Sequence, residues 1–213
     1  MNTPKHPRHN FLIERIAFFS DAVFAIAITL LTIEIHPPVL LKTDTSPDVM
    51  HKLLEKLPEF IGLIVSFWLI GANWLRHHQL FKYVDNYDTK FMVINLFLLM
   101  TIIFFPFSTS FLFNTIFSGI TTRPQVIFYL VVPLCSNLIL YKMYKLVNRK
   151  HLDNKTDEQF HHAVRQQGYM IIAFILALAW IIIAPFGLHP FGYIFLMAGG
   201  IMLSIHKRKK KKI

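Results

Sequence analysis

Six apolar runs, each close to the length needed to cross a bilayer, constrain this chain more than any other feature. A helix needs roughly 20 predominantly apolar residues to traverse about 30 Å of hydrocarbon. The runs lie at about 16–35, 59–81, 91–117, 125–144, 164–185 and 189–205. Inside lipid the backbone must satisfy its own hydrogen bonds, so runs of this length read as helices. The expected fold is all-α: a polytopic membrane protein with six transmembrane helices in one domain. Hydrophobic residues make up 54% of the chain, which leaves little polar surface for a soluble domain of 213 residues.

The charges support this reading and suggest an orientation. With the N-terminus in the cytoplasm, 18 of the 22 Lys and Arg fall on cytoplasmic segments; only Lys42, Lys52, Lys56 and Arg123 fall outside. Cytoplasmic loops carry such an excess, so both termini are expected inside. The basic tail 206–213 then acts as a stop-transfer anchor that touches anionic lipid headgroups. The net charge of +10 belongs to span edges, so no nucleic-acid partner is expected. The lone Cys135 lies in an apolar run and offers no disulfide framework. The first run meets Pro37-Pro38 without a small-residue cleavage site, so it is expected to stay as a span.

The longest polar connection follows the first run. Ser46-Pro47-Asp48 is a helix-start pattern, with Val49, Leu53 and Leu57 expected on one side. It reads as a short helix lying at the membrane surface.

Polar residues inside the spans carry the chemistry. Arg15, Ser20 and Asp21 open the first span. A carboxylate in lipid costs about 2.5–3.5 kcal/mol on insertion scales, so Asp21 needs a partner or a wet cavity. Either a helix-locking polar network or direct ion contact meets that need. Further along, Ile26, Thr29, Leu30 and Ile33 recur at helical spacing and share a face, which by itself reads as packing. The Thr29 hydroxyl can face water or bond back to the preceding turn. In the second span Asn73 and His77 stand four apart beside Trp74. His77 and His78 are neighbours that point about 100° apart on a helix, so no shared metal is expected. Asn95 in the third span requires an interhelical hydrogen bond. Pro106 is expected to bend that span, with Ser108 or Thr109 satisfying freed carbonyls, and Pro133 to kink the fourth.

The run Arg15-x-x-x-Phe19-Ser20-Asp21 resembles the RxxxFSD motif of the transmembrane protein 175 family of potassium channels. Trp74-x-x-His77-His78-x-Leu80-Phe81, Asn95-Leu96 and Phe105-Pro106-Phe107-x-Thr109 add to the resemblance. A single six-span unit is similar to the bacterial members. The resemblance implies a homotetramer that conducts K⁺, and other monovalent cations in weaker measure, along an axis lined by four copies of the first helix. It places Arg15, Phe19, Ser20, Asp21, Asn73, Trp74, His77 and Asn95 in a structural network. It implies a constriction at Ile26, Leu30 and Ile33, with Thr29 as a selectivity layer. A ring of apolar side chains offers K⁺ no ligand and can close by dewetting. There is no Thr-Val-Gly-Tyr-Gly filter, and Glu34 at the pore mouth would raise the local cation concentration.

The permeant ion apart, no cofactor is expected. An enzyme is not expected either: the spans hold no paired carboxylates and no nucleophile beside a base. An ion- or proton-coupled secondary transporter is the alternative, but transporters favour internal repeats and broken helices, and no repeat is visible.

Overall fold

The computed structural model describes residues 7–84, 88–115, 122–150 and 158–183. Within them the chain forms α1 (Pro7–Ile33), α2 (Ser46–Leu54), α3 (Leu57–Phe81), α4 (Thr89–Phe113), α5 (Arg123–Lys150) and α6 (Glu158–Ile183). Segments Ile13–Ile33, Thr89–Phe113, Arg123–Val147 and Phe160–Ile183 are long and apolar enough to cross a membrane. The chain is thus an all-helical integral membrane protein with four such spans among the described residues. The helix α3 is 25 residues long but carries Asn73, Arg76, His77, His78 and Gln79 in its second half, and it is not among the four. The expected sixth span at 189–205 and the tail at 206–213 lie outside the described residues.

Three apolar clusters stack through the bundle. One joins the end of α3 to the start of α4, the end of α5 and the start of α6, through Leu80, Leu98, Leu140, Tyr144 and Phe160. The middle one seats α1 through Phe24, Ala27 and Leu31 against Ile70, Leu99, Ile102 and Phe105. The last gathers Leu112, Leu130, Phe174 and Ile181. The pore-helix candidate α1 therefore packs chiefly on α3 and α4, while α6 packs on α5.

At Pro106 the hydroxyls serve a different carbonyl from the one the proline frees. Helices α4 and α5 run on through Pro106 and Pro133. The residue that Pro106 deprives of an i→i−4 partner is Ile102, yet Ser108 and Thr109 donate instead to the Phe105 carbonyl at 2.9 and 2.7 Å. Thr109 also reaches a neighbour: its hydroxyl lies 2.7 Å from Ser66 Oγ, which lies 3.1 Å from Tyr129 Oη. That buried triad ties α3, α4 and α5 together.

One turn further out, Gly62 lets α3 approach α4. A Cβ there would lie 2.6 Å from Phe113 Cδ2 and 2.9 Å from its Cβ. Gly62→Ala is therefore expected to destabilise the fold by about 1–3 kcal/mol, the usual cost of overpacking, despite alanine's better helix propensity. A thermal melt of the detergent-solubilised protein checks this, and an unchanged melting temperature would contradict it.

The helix α2 appears where the Ser46-Pro47-Asp48 pattern puts it. The Asp48 carboxylate accepts from the Thr45 backbone N–H at 2.8 Å and from its hydroxyl at 2.6 Å. Hydrogen bonding from Thr45 holds the Asp48 carboxyl below the usual carboxylate range. Lys52 does the same for Asp44, at 2.6 Å, while also donating to the Val39 carbonyl. Both contacts are complete above the ordinary carboxylate pKa and are lost as pH falls below it. Val49 and Leu53 are exposed on this helix, but Leu57, expected beside them, opens α3 after a break at Glu55-Lys56.

Candidate functional site: the first helix and its polar anchor

Ser20 and Asp21 at the head of α1 find their partners on neighbouring helices. Ser20 is fully buried. Its hydroxyl donates to the Ile16 carbonyl at 2.8 Å and accepts from Asn95 Nδ2 at 2.9 Å. Asn95 Oδ1 in turn accepts from His77 Nε2 at 2.9 Å, so the imidazole carries its proton on Nε2. One asparagine amide thereby links α1, α3 and α4. The His77 ring sits between Phe24, 5.4 Å away, and Phe81, 4.5 Å away. Asp21 accepts from Trp74 Nε1 at 2.8 Å, a second tie between α1 and α3. Interhelical hydrogen bonds in lipid average about 0.6 kcal/mol and reach about 1–2 kcal/mol in peptides, so two such links matter for a helix otherwise held by apolar contact.

Five of the eight expected network residues, Ser20, Asp21, Trp74, His77 and Asn95, thus come together. Asn73 does not join them. It is buried, but it donates to the Leu69 carbonyl on its own helix, with its Oδ1 3.5 Å from Ser136 Oγ on α5. Asn73 and His77 share burial but serve different neighbours. Phe19, 55% exposed, lies on the open side of α1, and Arg15 is also exposed. His78 is exposed, with its ring beside Trp74, while His77 points into the core, so the two histidines are parted.

The opposite side of α1 is left uncovered by the other described residues. Phe18, Ala22, Ala25, Ile26, Thr29, Thr32 and Ile33 are all exposed, forming one continuous stripe at helical spacing. Ile26 and Ile33 are 57% and 69% exposed, whereas Phe24, Ala27 and Leu31 on the packed side are at most 2% exposed. Leu30 is half-buried at the edge of the stripe, so it does not share the open face fully with Ile26, Thr29 and Ile33. Thr29 resolves its two options in favour of the backbone: its hydroxyl donates to the Ile26 carbonyl at 2.9 Å. The hydrogen is thus committed, and the oxygen lone pairs remain at an exposed position. Glu34 follows the helix end and is half-buried. The small residues Ala22, Ala25 and Thr32 were not singled out in the sequence, although with Ile26 and Thr29 they fall at i, i+3, i+4, i+7 and i+10, the spacing of one helix face.

An apolar helix anchored on one face by a buried polar motif, with its other face exposed along its length, opens an integral membrane protein of helices. Residues 15–106 match the family model described as endosomal/lysosomal potassium channel TMEM175. A stretch of 98 residues is 42% identical to a potassium channel of Streptomyces collinus, covering 46% of each chain. Over 98 residues the chain is 41% identical to a potassium channel of Chamaesiphon minutus, covering 46% of this chain and 48% of that one. These alignments therefore span about half the length of the curated relatives. The crystal structure of a lysosomal potassium-selective channel TMEM175 homolog from Chamaesiphon minutus superposes with a TM-score of 0.73 at 25% identity, covering 92% of this chain and 97% of that one. The resemblance read from the motif is shown: this chain is similar to the TMEM175 family in sequence over residues 15–106 and in fold over nearly its whole length.

Proposed function

We propose that the chain is one subunit of a passive, potassium-conducting channel in which four copies of α1 surround a central axis. The observation that carries this reading is the open stripe of α1. It lies opposite Ser20, Phe24, Ala27 and Leu31, so the side the bundle does not need is the side that includes Ile26, Thr29 and Ile33. The names of the relatives supply the ion.

On this reading the Ile26 ring forms an apolar constriction that gates by dewetting, with Ile33 as a further ring nearer the outer end and Leu30 at its flank. The Thr29 oxygens, with their hydrogens turned to the Ile26 carbonyls, present only lone pairs, which suits a partly hydrated cation. Glu34 adds negative charge at the mouth. The network of Ser20, Asp21, Trp74, His77 and Asn95 holds α1 in register and takes no direct part in conduction. Six spans, cytoplasmic termini and a bacterial inner membrane complete the proposal, the orientation resting on the 18-to-4 division of Lys and Arg.

Purified protein in liposomes, recorded under K⁺/Na⁺ bi-ionic conditions, tests this directly. Expected is a current that follows electrodiffusion, with a reversal potential favouring K⁺. Saturable flux strictly coupled to a counter-ion would overturn the channel in favour of a transporter.

A further inference from the structure

One turn of α3 faces two ways. Trp74 and His77 reach α1 and α4 through Asp21 and Asn95. Asn73 and Arg76, on the other side of that turn, reach α5. Arg76 is the less expected of these. It is only partly exposed, and among the described residues no carboxylate forms an ion pair with it. Its Nη1 donates to Asn137 Oδ1 at 3.3 Å. That same oxygen accepts from Gln167 Nε2 of α6 at 2.7 Å, and Gln167 Nε2 also lies 2.9 Å from the Asn137 carbonyl. Tyr144 of α5 closes the junction by donating to the Arg76 carbonyl at 2.8 Å.

The junction is built, not incidental. Asn137 and Gln167 are 1% and 0% exposed. Asn137 is itself held by donation to the Pro133 carbonyl at 2.7 Å. Gln167 gives both its hydrogens to Asn137, leaving its own Oε1 buried without a partner. Burying such groups in hydrocarbon is costly, and packing alone would be served better by leucine.

We propose that Arg76, Asn137 and Gln167 are positioning residues that set the conduction state of α1 from α5 and α6 by way of α3. This rests on the reading of α1 as the pore wall. The helix α1 packs chiefly on α3 and α4, so the polar route from α6 to the motif passes through Asn137 and then the Arg76 turn. A shift of α5 and α6 that carries Arg76 displaces Trp74 and His77 with it, because one helical turn moves as a unit. Those two side chains hold Asp21 and, through Asn95, Ser20, so the displacement reaches the stripe that bears Ile26. A chain of contacts shows a route, and coupling along it is what the experiment must measure.

Three variants in planar bilayers make that measurement: Arg76→Met, Gln167→Met and the pair combined. Arg76 has no carboxylate partner among the described residues to be stranded, and Asn137 Oδ1 keeps its bond from Gln167, so Arg76→Met should assemble normally. Each single variant is expected to change open probability by about threefold or more in the same direction, with unitary conductance and reversal potential unchanged. The pair should do no more than either alone, because both cut one route. Unchanged open probability in the single variants, with or without an altered melting temperature, overturns the proposal. So do additive effects in the pair, or a change in conductance alone, which would mean that Arg76 acts through its field on the ion. If Gln167→Met fails to assemble, Arg76→Met by itself decides on open probability. Ile26→Asn recorded alongside separates the two readings. If it leaves conductance and reversal potential untouched, the pore wall is wrong; if it changes them while the Arg76 and Gln167 variants leave gating alone, only the junction is.

Discussion

Replacing Ile26 with Asn is expected to raise unitary K⁺ conductance and to move the bi-ionic K⁺/Na⁺ reversal potential toward zero. Ile26 is 57% exposed in the isolated subunit, on the open side of α1, one turn before Thr29. In a symmetric assembly four Ile side chains would surround the ion and offer it no oxygen. Asn supplies a carbonyl oxygen from each copy, which offsets part of the dehydration cost. A barrier lowered by about 0.7–1.4 kcal/mol raises flux roughly three- to tenfold. The same amide oxygens accept Na⁺ and K⁺ alike, so discrimination should fall as conductance climbs. Single-channel recording checks both quantities, and wild-type values in both would remove Ile26 from the conduction path. Ile26 lies away from the polar anchor, so assembly should be unaffected.

The second large effect is expected at Asn95. Asn95→Leu removes the acceptor for His77 Nε2 and the donor to Ser20 Oγ in one step. Ser20 keeps its bond to the Ile16 carbonyl, so the principal loss is a buried N–H left alone beside Phe24 and Phe81. An orphaned buried donor costs about 1–3 kcal/mol, and the lost tie to α1 adds to that. The melting temperature of the assembly should fall, and the fraction recovered as oligomer should fall with it. Adding His77→Leu to Asn95→Leu should recover part of the loss, since an apolar pair needs no partner. If Asn95→Leu melts like the wild type, or if the second substitution only deepens the loss, the anchor is not held in this way.

The reach of the sequence varied with the distance over which each interaction acts. Apolar run lengths located α1, α4, α5 and α6 because crossing a bilayer depends on one segment at a time. That Asp21 and Asn95 need partners was legible because polar groups in lipid cannot stand alone, but that the partners are Trp74 and His77 was not. Asn73 was misplaced for the converse reason. Its four-residue spacing from His77 put both in the core but could not say that one would meet Ser136 on α5, 63 residues away. The Ser66 and Tyr129 hydroxyls escaped notice likewise, since each is unremarkable within its own run, so the link that Thr109 makes to them was not foreseen. Leu57 was assigned to α2 on periodicity, and only the break at Glu55-Lys56 shows that it starts α3. Phe19 belongs to the motif, yet its 55% exposure reveals a side that motif spacing cannot.

The guanidinium of Arg76 has a bearing on how the protein is made. Its acceptor, Asn137, lies 61 residues downstream and reaches the ribosome later. At about 5–20 residues per second, roughly 3–12 s of synthesis separate the two. Throughout that interval the nascent α3 carries a cation whose acceptor in the folded protein has yet to be made. Headgroups or water must solvate it at the bilayer edge, so α3 should settle to its final depth only after α5 has emerged from the translocon.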